Sequence, residues 1–328
     1  MNSRRRLFWA WLGAFYLTWG GILVFGGLGP TALTHWPIAV AMAAGSYVAG
    51  STPMGGGTVG FPILVLLFDQ PASLGRDFSF AVQAVGMTSA ALFIWSRRQP
   101  LEWPMLRAAL IGALIGTPLG IIFVAPLVSG LFIKLLFAVV WASFGLLHLH
   151  RINEITAHQG ITPTNLRFDT MTGAIVGFVG GLTIASITGV GIDMLLYMVL
   201  VLVCHADLRI AIPTSVILMA FVSVVGLFTK LLLGTIEPGV WPNWLAAAPV
   251  VAIGAPFGAL VVSRIGRRPT LLVVSVLCVA QFGWTLWHER QALSPWTIAA
   301  TLLGVILFLL VFQELHRLGD RLARRRPD

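Results

Sequence analysis

Apolar stretches long enough to lie in a lipid bilayer follow one another along almost the whole of this chain. Of its 328 residues, 57% are hydrophobic and only 10% are charged, whereas a soluble domain carries roughly 25% charged residues. In lipid an open strand cannot satisfy its backbone groups, so each stretch must be helical. The sequence therefore predicts an all-α polytopic membrane protein. About twelve segments can be marked, at 7–28, 37–50, 56–68, 77–95, 104–124, 130–149, 168–187, 190–204, 210–233, 243–262, 270–288 and 295–315.

The net charge of +9 comes largely from basic residues that lie between the apolar segments. A nucleic-acid-binding domain instead gathers such residues on a soluble face, so we expect the lipid bilayer as a partner and no nucleic acid. Basic loops stay on the cytoplasmic side of a membrane, and alternating crossings place every basic cluster on one side. We therefore predict a multi-pass protein of the cell inner (plasma) membrane with both termini in the cytoplasm. The clusters are residues 4–6, 97–98, 151 with 167, 264 with 267–268, and 317–326.

Two halves of the chain share a sequence pattern. WP at 103–104 followed by GTPLG at 116–120 is matched, at one constant offset, by WP at 241–242 followed by GAPFG at 254–258. Each copy holds about five apolar segments, and an odd number of crossings turns the second copy upside down relative to the first. The predicted parts are an N-terminal helix and loop at 1–36, a first repeat at 37–150, a cytoplasmic linker at 151–167, an inverted second repeat at 168–288, and a C-terminal helix with a basic tail at 289–328.

Each repeat contains a break rich in Gly, Ser and Thr, GSTPMGGGTVGFP at 50–62 and GLTIASITGVGIDMLLY at 181–197. The segments that flank the first break have only ~13 residues each, about 20 Å of helix against a hydrocarbon core of about 30 Å. They either re-enter as a hairpin or span the bilayer, and both arrangements leave the outer topology unchanged. Irregular backbone at membrane depth is tolerated where protein buries it or a polar cavity needs it. The two breaks therefore predict a binding site between the repeats.

The breaks and two neighbouring segments supply neutral hydrogen-bonding groups suited to an anion. Backbone N–H groups at the start of a half-helix favour negative charge, and hydroxyls donate to oxyanion oxygens. The alternatives are small-residue helix packing for the glycines and bonds to the helix's own carbonyls for the hydroxyls. The candidate binding residues are Ser51, Thr52, Gly55, Gly56, Gly57, Thr58, Gln83, Ser186, Thr188, Gly189, Gly191, Thr214 and Ser215.

Four ionisable residues are candidates for coupling or electrostatic roles. Asp193 either carries a coupling proton, offsets positive charge at the site, or caps the helix that begins at Gly191, and Tyr197 lies one turn further on. Arg76 and Arg209 occupy equivalent repeat positions. Each of these arginines either attracts an anion at a membrane face or anchors a helix end.

The remaining polar residues within the apolar segments indicate neither a metal site nor a cofactor. We interpret His148, His150 and His158 as solvated histidines at the membrane interface and not as a metal site. Lys134 is near a helix end and is expected to reach the head groups. Cys204 and Cys278 match no metal or redox spacing. Both are expected to pack in the protein interior.

The ordered motifs resemble those of the sulfite exporter TauE/SafE family of membrane anion transporters. GSTPMGGGTVGFPIL is similar to the first glycine-rich motif of the family, and SITGVGIDMLLY followed by IPTSVILMAFVSVVG is similar to a second-repeat motif. The resemblance covers nearly the whole chain apart from the first and last helices. It implies export or uptake of sulfite, sulfonates or related small anions, driven by an ion gradient. One departure is Gly191-Ile192-Asp193, where many members have a glycine and proline run.

We therefore predict a secondary transporter, in the exporting direction, for a small sulfur-containing anion such as sulfite or an organosulfonate. The partners are that anion, the bilayer and a coupling proton or sodium ion, while the sequence leaves the oligomeric state open. A passive anion channel is the alternative, although it needs a continuous pore. An intramembrane enzyme is the other, and the chain has no HExxH motif and no second aspartate placed to pair with Asp193.

Overall fold

The computed structural model describes residues 3–162 and 164–324, and the regular structure in them is helical. The last basic residues of the tail, Arg325 and Arg326, lie outside the described residues. The helices are α1 (Ser3–Phe25), α2 (Gly29–Thr34), α3 (Trp36–Ser51), α4 (Gly57–Pro62), α5 (Ala72–Ser96), α6 (Trp103–Leu119), α7 (Gly130–Ala157), α8 (Leu166–Gly180), α9 (Ser186–Thr188), α10 (Ile192–Leu202), α11 (Leu208–Leu233), α12 (Val240–Ile265), α13 (Arg267–His288) and α14 (Pro295–Arg324).

Nine helical stretches in the described residues are long and apolar enough to cross a membrane. Two shorter apolar helices, Gly57–Leu67 and α10, follow the glycine-rich breaks. The prediction of an all-α polytopic membrane protein is thereby confirmed. The short helix α2 was not among the predicted segments.

Wider π-helical turns interrupt three of the helices near the breaks. Ile63–Leu67 continues α4 directly after Pro62, and Gly120–Val124 continues α6 two residues after Pro118. A proline inside a helix has no N–H to donate, and its ring displaces the carbonyl one turn earlier, which accounts for the local widening at these two places. The third turn, Gly181–Ala185, joins α8 to α9 and has glycine at its start.

The two halves pack on one another in a reciprocal manner. Helix α3 lies against α12 and α8 lies against α6, while α5 pairs with α11 and α7 with α13. Close glycine contacts occur in both of the first two pairs, because a Cβ on Gly50 would lie 1.8 Å from the Ala255 carbonyl oxygen and one on Gly177 would lie 2.0 Å from that of Ala109. Small residues let membrane helices approach to backbone contact. Equivalent helices of the two halves thus make equivalent contacts, which is consistent with a repeat. The inverted orientation and the repeat boundaries stay predictions.

Candidate functional site

The two glycine-rich breaks meet beside α5. Gly57 begins α4, and a Cβ at this position would lie 2.4 Å from Val190 Cγ1 and 2.6 Å from Ser79 Oγ. Val190 belongs to the second break, just before α10. The two breaks therefore touch, and glycine at 57 is what lets them do so. We call residues 52–57 the first tip and residues 189–191 the second tip.

The second tip turns back sharply between α5 and α7. Gly189 and Gly191 have φ of +79° and +96°, a region that favours glycine over residues with a Cβ. A Cβ on Gly189 would lie 2.4 Å from the Arg76 carbonyl oxygen, and one on Gly191 would lie 2.9 Å from the Trp141 ring. Both glycines are therefore required by conformation and by space.

Gln83 on α5 contacts both tips from a buried position. Its Nε2 donates to the Ser79 carbonyl at 2.9 Å and to the Gly189 carbonyl at 3.0 Å. Its Oε1 has no hydrogen-bond partner in the described part of the chain and lies 1.7 Å from the point that a Gly55 Cβ would occupy. One amide side chain thus bonds to the second tip and presents an unpaired oxygen to the first.

Asp193 is fully buried in the first turn of α10. Its Oδ1 accepts from the Met194 amide at 3.0 Å, and the backbones of Gly55 and Gly191 lie beside the carboxyl group. Its Oδ2 is buried and has no hydrogen-bond partner within residues 3–162 and 164–324. One oxygen therefore accepts from an N–H group in the first turn of α10, although Asp193 is not the N-cap residue, which is Gly191.

Tyr197 bonds to a histidine and not to Asp193. Its hydroxyl lies 2.9 Å from His148 Nε2, and His148 Nδ1 lies 2.9 Å from the Phe144 carbonyl oxygen. Because a carbonyl only accepts, Nδ1 carries the proton and the tyrosine donates to Nε2. The expectation of a solvated interface histidine is wrong for His148, which is fully buried.

Six of the predicted binding hydroxyls donate to carbonyl groups of their own helices. This geometry leaves their lone pairs, and not their protons, available to a ligand in this conformation. Thr214 also accepts from the Glu102 amide at 3.1 Å, which places it at the α5–α6 loop and away from the tips. The six are Ser51, Thr52, Ser186, Thr188, Thr214 and Ser215.

Thr58 and Trp141 form a pair that the sequence analysis missed. Trp141 Nε1 donates to Thr58 Oγ1 at 3.1 Å, so the threonine proton stays free to donate at the first tip. The indole stacks on Phe137 with ring centroids 4.1 Å apart. A tryptophan in the middle of an apolar segment is unusual because this residue favours the membrane interface. That unusual position is the sequence signal that identifies Trp141.

A cavity of about 790 Å³ opens at the end of the helix bundle where α5 begins, the end predicted to be outer. Arg76, Lys134 and Lys230 lie in its lining. Arg76 Nε and Lys230 Nζ bond to the two oxygens of Asp77 at 2.9 and 3.0 Å. Lys134 pairs with Glu289, which lies directly after α13, at 2.5 Å, while its contact with head groups stays a prediction.

A second cavity of about 810 Å³ opens at the opposite, predicted cytoplasmic end and is lined by Arg209, Arg267 and Arg268. Asp207 accepts from the backbone amide of Arg209 and caps α11. Burial lowers the pKa of His158, which also lies in the lining of this cavity.

The two cavities are built from equivalent parts of the two halves. The outer one lies at the starts of α5 and α7 and the ends of α6 and α11. The cytoplasmic cavity lies at the starts of α11 and α13, at the end of α12 and at the loop that follows α5, which are the corresponding elements of the other half. The end of α7 also lines it. Between them a space of about 10 Å³ beside Gly56 and Gln83 has room for about one water. The tips themselves are closed on each other at the contact between Gly57 and Val190.

Replacing Lys230 with methionine is expected to destabilise the protein. Asp77 would keep Arg76 and the Glu237 amide but lose one charged partner in a buried place. We expect the free energy of unfolding to fall by about 2 kcal/mol, measured by reversible unfolding in detergent micelles. Lys134→Met is the matched control, and because its ion pair is more exposed an equal loss there would contradict the assignment.

The family model described as "Sulfite exporter TauE/SafE" matches residues 37–284, more than half of the chain. The match includes both tips and both cavities and leaves out α1, α2 and α14. Comparisons with curated proteins and with solved structures gave no match. The resemblance drawn from the sequence motifs is thereby confirmed, and the chain belongs to the sulfite exporter TauE/SafE family of membrane transporters.

Proposed function

We propose that the protein is a secondary transporter that exports a small sulfur-containing anion, such as sulfite or an organosulfonate, and binds it between the two tips. The observation that carries this proposal is the pair of cation-lined cavities at opposite ends of the bundle, with the closed tips between them. A carrier needs access from each side in turn to one central site. The equivalent construction of the two cavities supplies that access.

The charges of the cavities fit an anionic substrate. Arginine binds oxyanions through two parallel N–H bonds, and Arg76 and Arg209 lie in cavities at opposite ends. Arg76 bonds to Asp77 through its Nε atom and also lines the outer cavity. The same side chain can therefore anchor the start of α5 and attract an anion. In this proposal the arginines draw the anion to the tips and do not hold it there.

Neutral donors receive the anion at the centre. When the tips separate, the Gln83 amide is released from the Gly189 carbonyl and donates to an anion oxygen, together with the free proton of Thr58. Neutral donors bind an anion more weakly than a buried lysine or arginine would. Weak binding suits a substrate that must leave in every cycle.

The closed tips favour a carrier over a channel. A channel of fixed structure needs a continuous polar path, whereas the two tips contact each other at Gly57 and Val190. The chain is then expected to alternate between states in which one cavity or the other extends to the tips. In this scheme Asp193 carries the coupling proton, because a buried carboxylate with an unpartnered oxygen is costly as an anion.

Counterflow in proteoliposomes tests the proposal. Vesicles loaded with unlabelled sulfite are expected to take up external ³⁵S-sulfite in a saturable way, and sulfite inside is expected to stimulate that uptake. Protein-free vesicles give the background. Flux that rises linearly with concentration and ignores internal sulfite would contradict the carrier and indicate a channel, while a chemically altered product would indicate an enzyme.

A further inference from the structure

Three histidines and two carboxylates from separate parts of the chain converge at the predicted cytoplasmic end, apart from the tips. His205 lies in the α10–α11 loop, His316 and Asp320 lie one turn apart on α14, and Glu154 and His158 lie at the end of α7. The His205 and His158 ring centroids are 5.1 Å apart, and those of His205 and His316 are 6.0 Å apart. The transport mechanism uses none of these side chains.

The donor atoms have the spacing of a metal site. His205 Nε2 lies 3.6 Å from Asp320 Oδ1, and His316 Nε2 lies 3.6 Å from Asp320 Oδ2 and 3.3 Å from Glu154 Oε1. One ligand atom from each of His205, His316 and Asp320 can be chosen so that all lie within 4.8 Å of one another. Tetrahedral zinc with bonds of about 2.0–2.1 Å places its ligand atoms ~3.3–3.4 Å apart. Small side-chain movements therefore suffice to enclose a cation.

We propose that His205, His316 and Asp320 bind a divalent transition-metal cation of the zinc type, with Glu154 or His158 completing the ligand set. Imidazole and carboxylate groups together suit zinc and its neighbours in the first transition series. His158 Nδ1 is buried with no hydrogen-bond partner among the described residues, and this ring nitrogen lies beside the proposed ligands.

The fold holds the proposed ligands in place before any ion binds. His205 has φ of +44°, a backbone conformation that is uncommon for a residue other than glycine and persists where the surroundings impose it. The Ala206 amide bonds to the Leu200 carbonyl and the Asp207 amide to that of Gly160. On α14, a Cβ on Gly319 would lie 2.3 Å from the Leu202 carbonyl oxygen, so this helix packs directly on the end of α10.

Metal binding would tie α14 to the part of the protein that moves during transport. Helix α14 lies outside the residues that match the family model, whereas the loop that carries His205 leads into Asp207 and Arg209 at the cytoplasmic cavity. A cation shared between them restrains the junction of α10 and α11. The site would therefore make the cytoplasmic cavity responsive to the metal.

Titration of the purified full-length protein tests the site. Protein stripped with a chelator and placed in lipid nanodiscs is titrated with Zn²⁺ by calorimetry, and with Co²⁺ by the visible absorption that reports a tetrahedral site. We expect one saturable ion per chain. His316→Ala and Asp320→Asn are expected to weaken binding by more than about 100-fold, since loss of even an outer partner of a metal ligand costs 10- to 100-fold.

His150→Ala is the matched control, because His150 is an exposed histidine on α7 at the same end, and it is expected to bind like the wild type. Asp320→Asn preserves side-chain shape, so weakened binding in that variant cannot be ascribed to misfolding, and a single symmetric peak on size exclusion verifies this. No saturable Zn²⁺ binding by the wild type would overturn the proposal. Equal binding by wild type and by a His205→Ala/His316→Ala double variant would also overturn it and leave the cluster as an ion-pair network.

Discussion

Gly57→Ala is expected to stop transport, whereas Gly56→Ala leaves it close to the wild-type rate. A methyl group at 57 would sit 2.4 Å from Val190 Cγ1 and 2.6 Å from Ser79 Oγ, so the two tips must move apart. At 56 the nearest atoms lie 3.5 Å away, which is ordinary contact. Overpacking of this kind costs about 1–3 kcal/mol, and a 1 Å misplacement within a binding site can cost on the order of 100-fold in rate.

Initial rates of ³⁵S-sulfite counterflow measure the effect, with the two variants reconstituted at equal density. Each variant is also checked by size exclusion and by its thermal unfolding temperature, because loss of folded protein would mimic loss of transport. A well-folded Gly57→Ala protein with the wild-type rate would show that contact between the tips is not required. Equal loss in Gly56→Ala would show that the whole segment, and not the contact, is sensitive.

Features that depend on solvent and local chain chemistry were predictable from the sequence. A long apolar run in lipid has to be helical, which fixes the class of fold. The glycine clusters at 55–57 and 189–191 indicated helix breaks because only glycine accepts positive φ freely, and two of those glycines have it. The motifs around them also sufficed to indicate the family.

Features that depend on partners distant in the sequence were not predictable. The His148–Tyr197 bond joins α7 to α10, and the Lys230–Asp77 pair joins α11 to α5. Each of these residues alone looks like an interface or helix-end residue, because a single sequence does not specify which side chain lies opposite. The cluster around His205 has the same origin, since its side chains come from the α10–α11 loop, from α14 and from the end of α7.

Gln83 shows how the two kinds of feature combine. The sequence indicated a polar residue within an apolar helix, which is costly unless it is satisfied or functional. Only the packing of α5 between the tips shows that its amide bonds to the Gly189 carbonyl while its oxygen faces Gly55. In the closed form only one end of the Gln83 amide is hydrogen-bonded, and leaving the other end unpaired is costly. Opening of the tips is therefore expected to let this side chain bind a ligand.

Asp193→Asn is expected to abolish accumulation driven by a proton gradient while leaving counterflow in place. The amide keeps the size of the carboxyl group and an oxygen to accept from the Met194 amide, but it carries no proton between the two faces. A gradient of one pH unit supplies about 1.4 kcal/mol per proton. With the membrane potential held at zero and one proton coupled to each anion, the wild type is then expected to accumulate substrate up to about tenfold, and the variant only to equilibrium.

The measurement compares ³⁵S-sulfite content at steady state with and without a pH gradient across the proteoliposomes. Asp169→Asn is the matched control, since Asp169 is a buried aspartate in the first turn of α8 that bonds to Thr164. It is expected to accumulate substrate like the wild type. Accumulation by Asp193→Asn equal to that of the wild type would remove Asp193 from coupling. Accumulation by the wild type that follows a sodium gradient and ignores pH would do so as well, because the carboxyl proton would then have no part in driving transport.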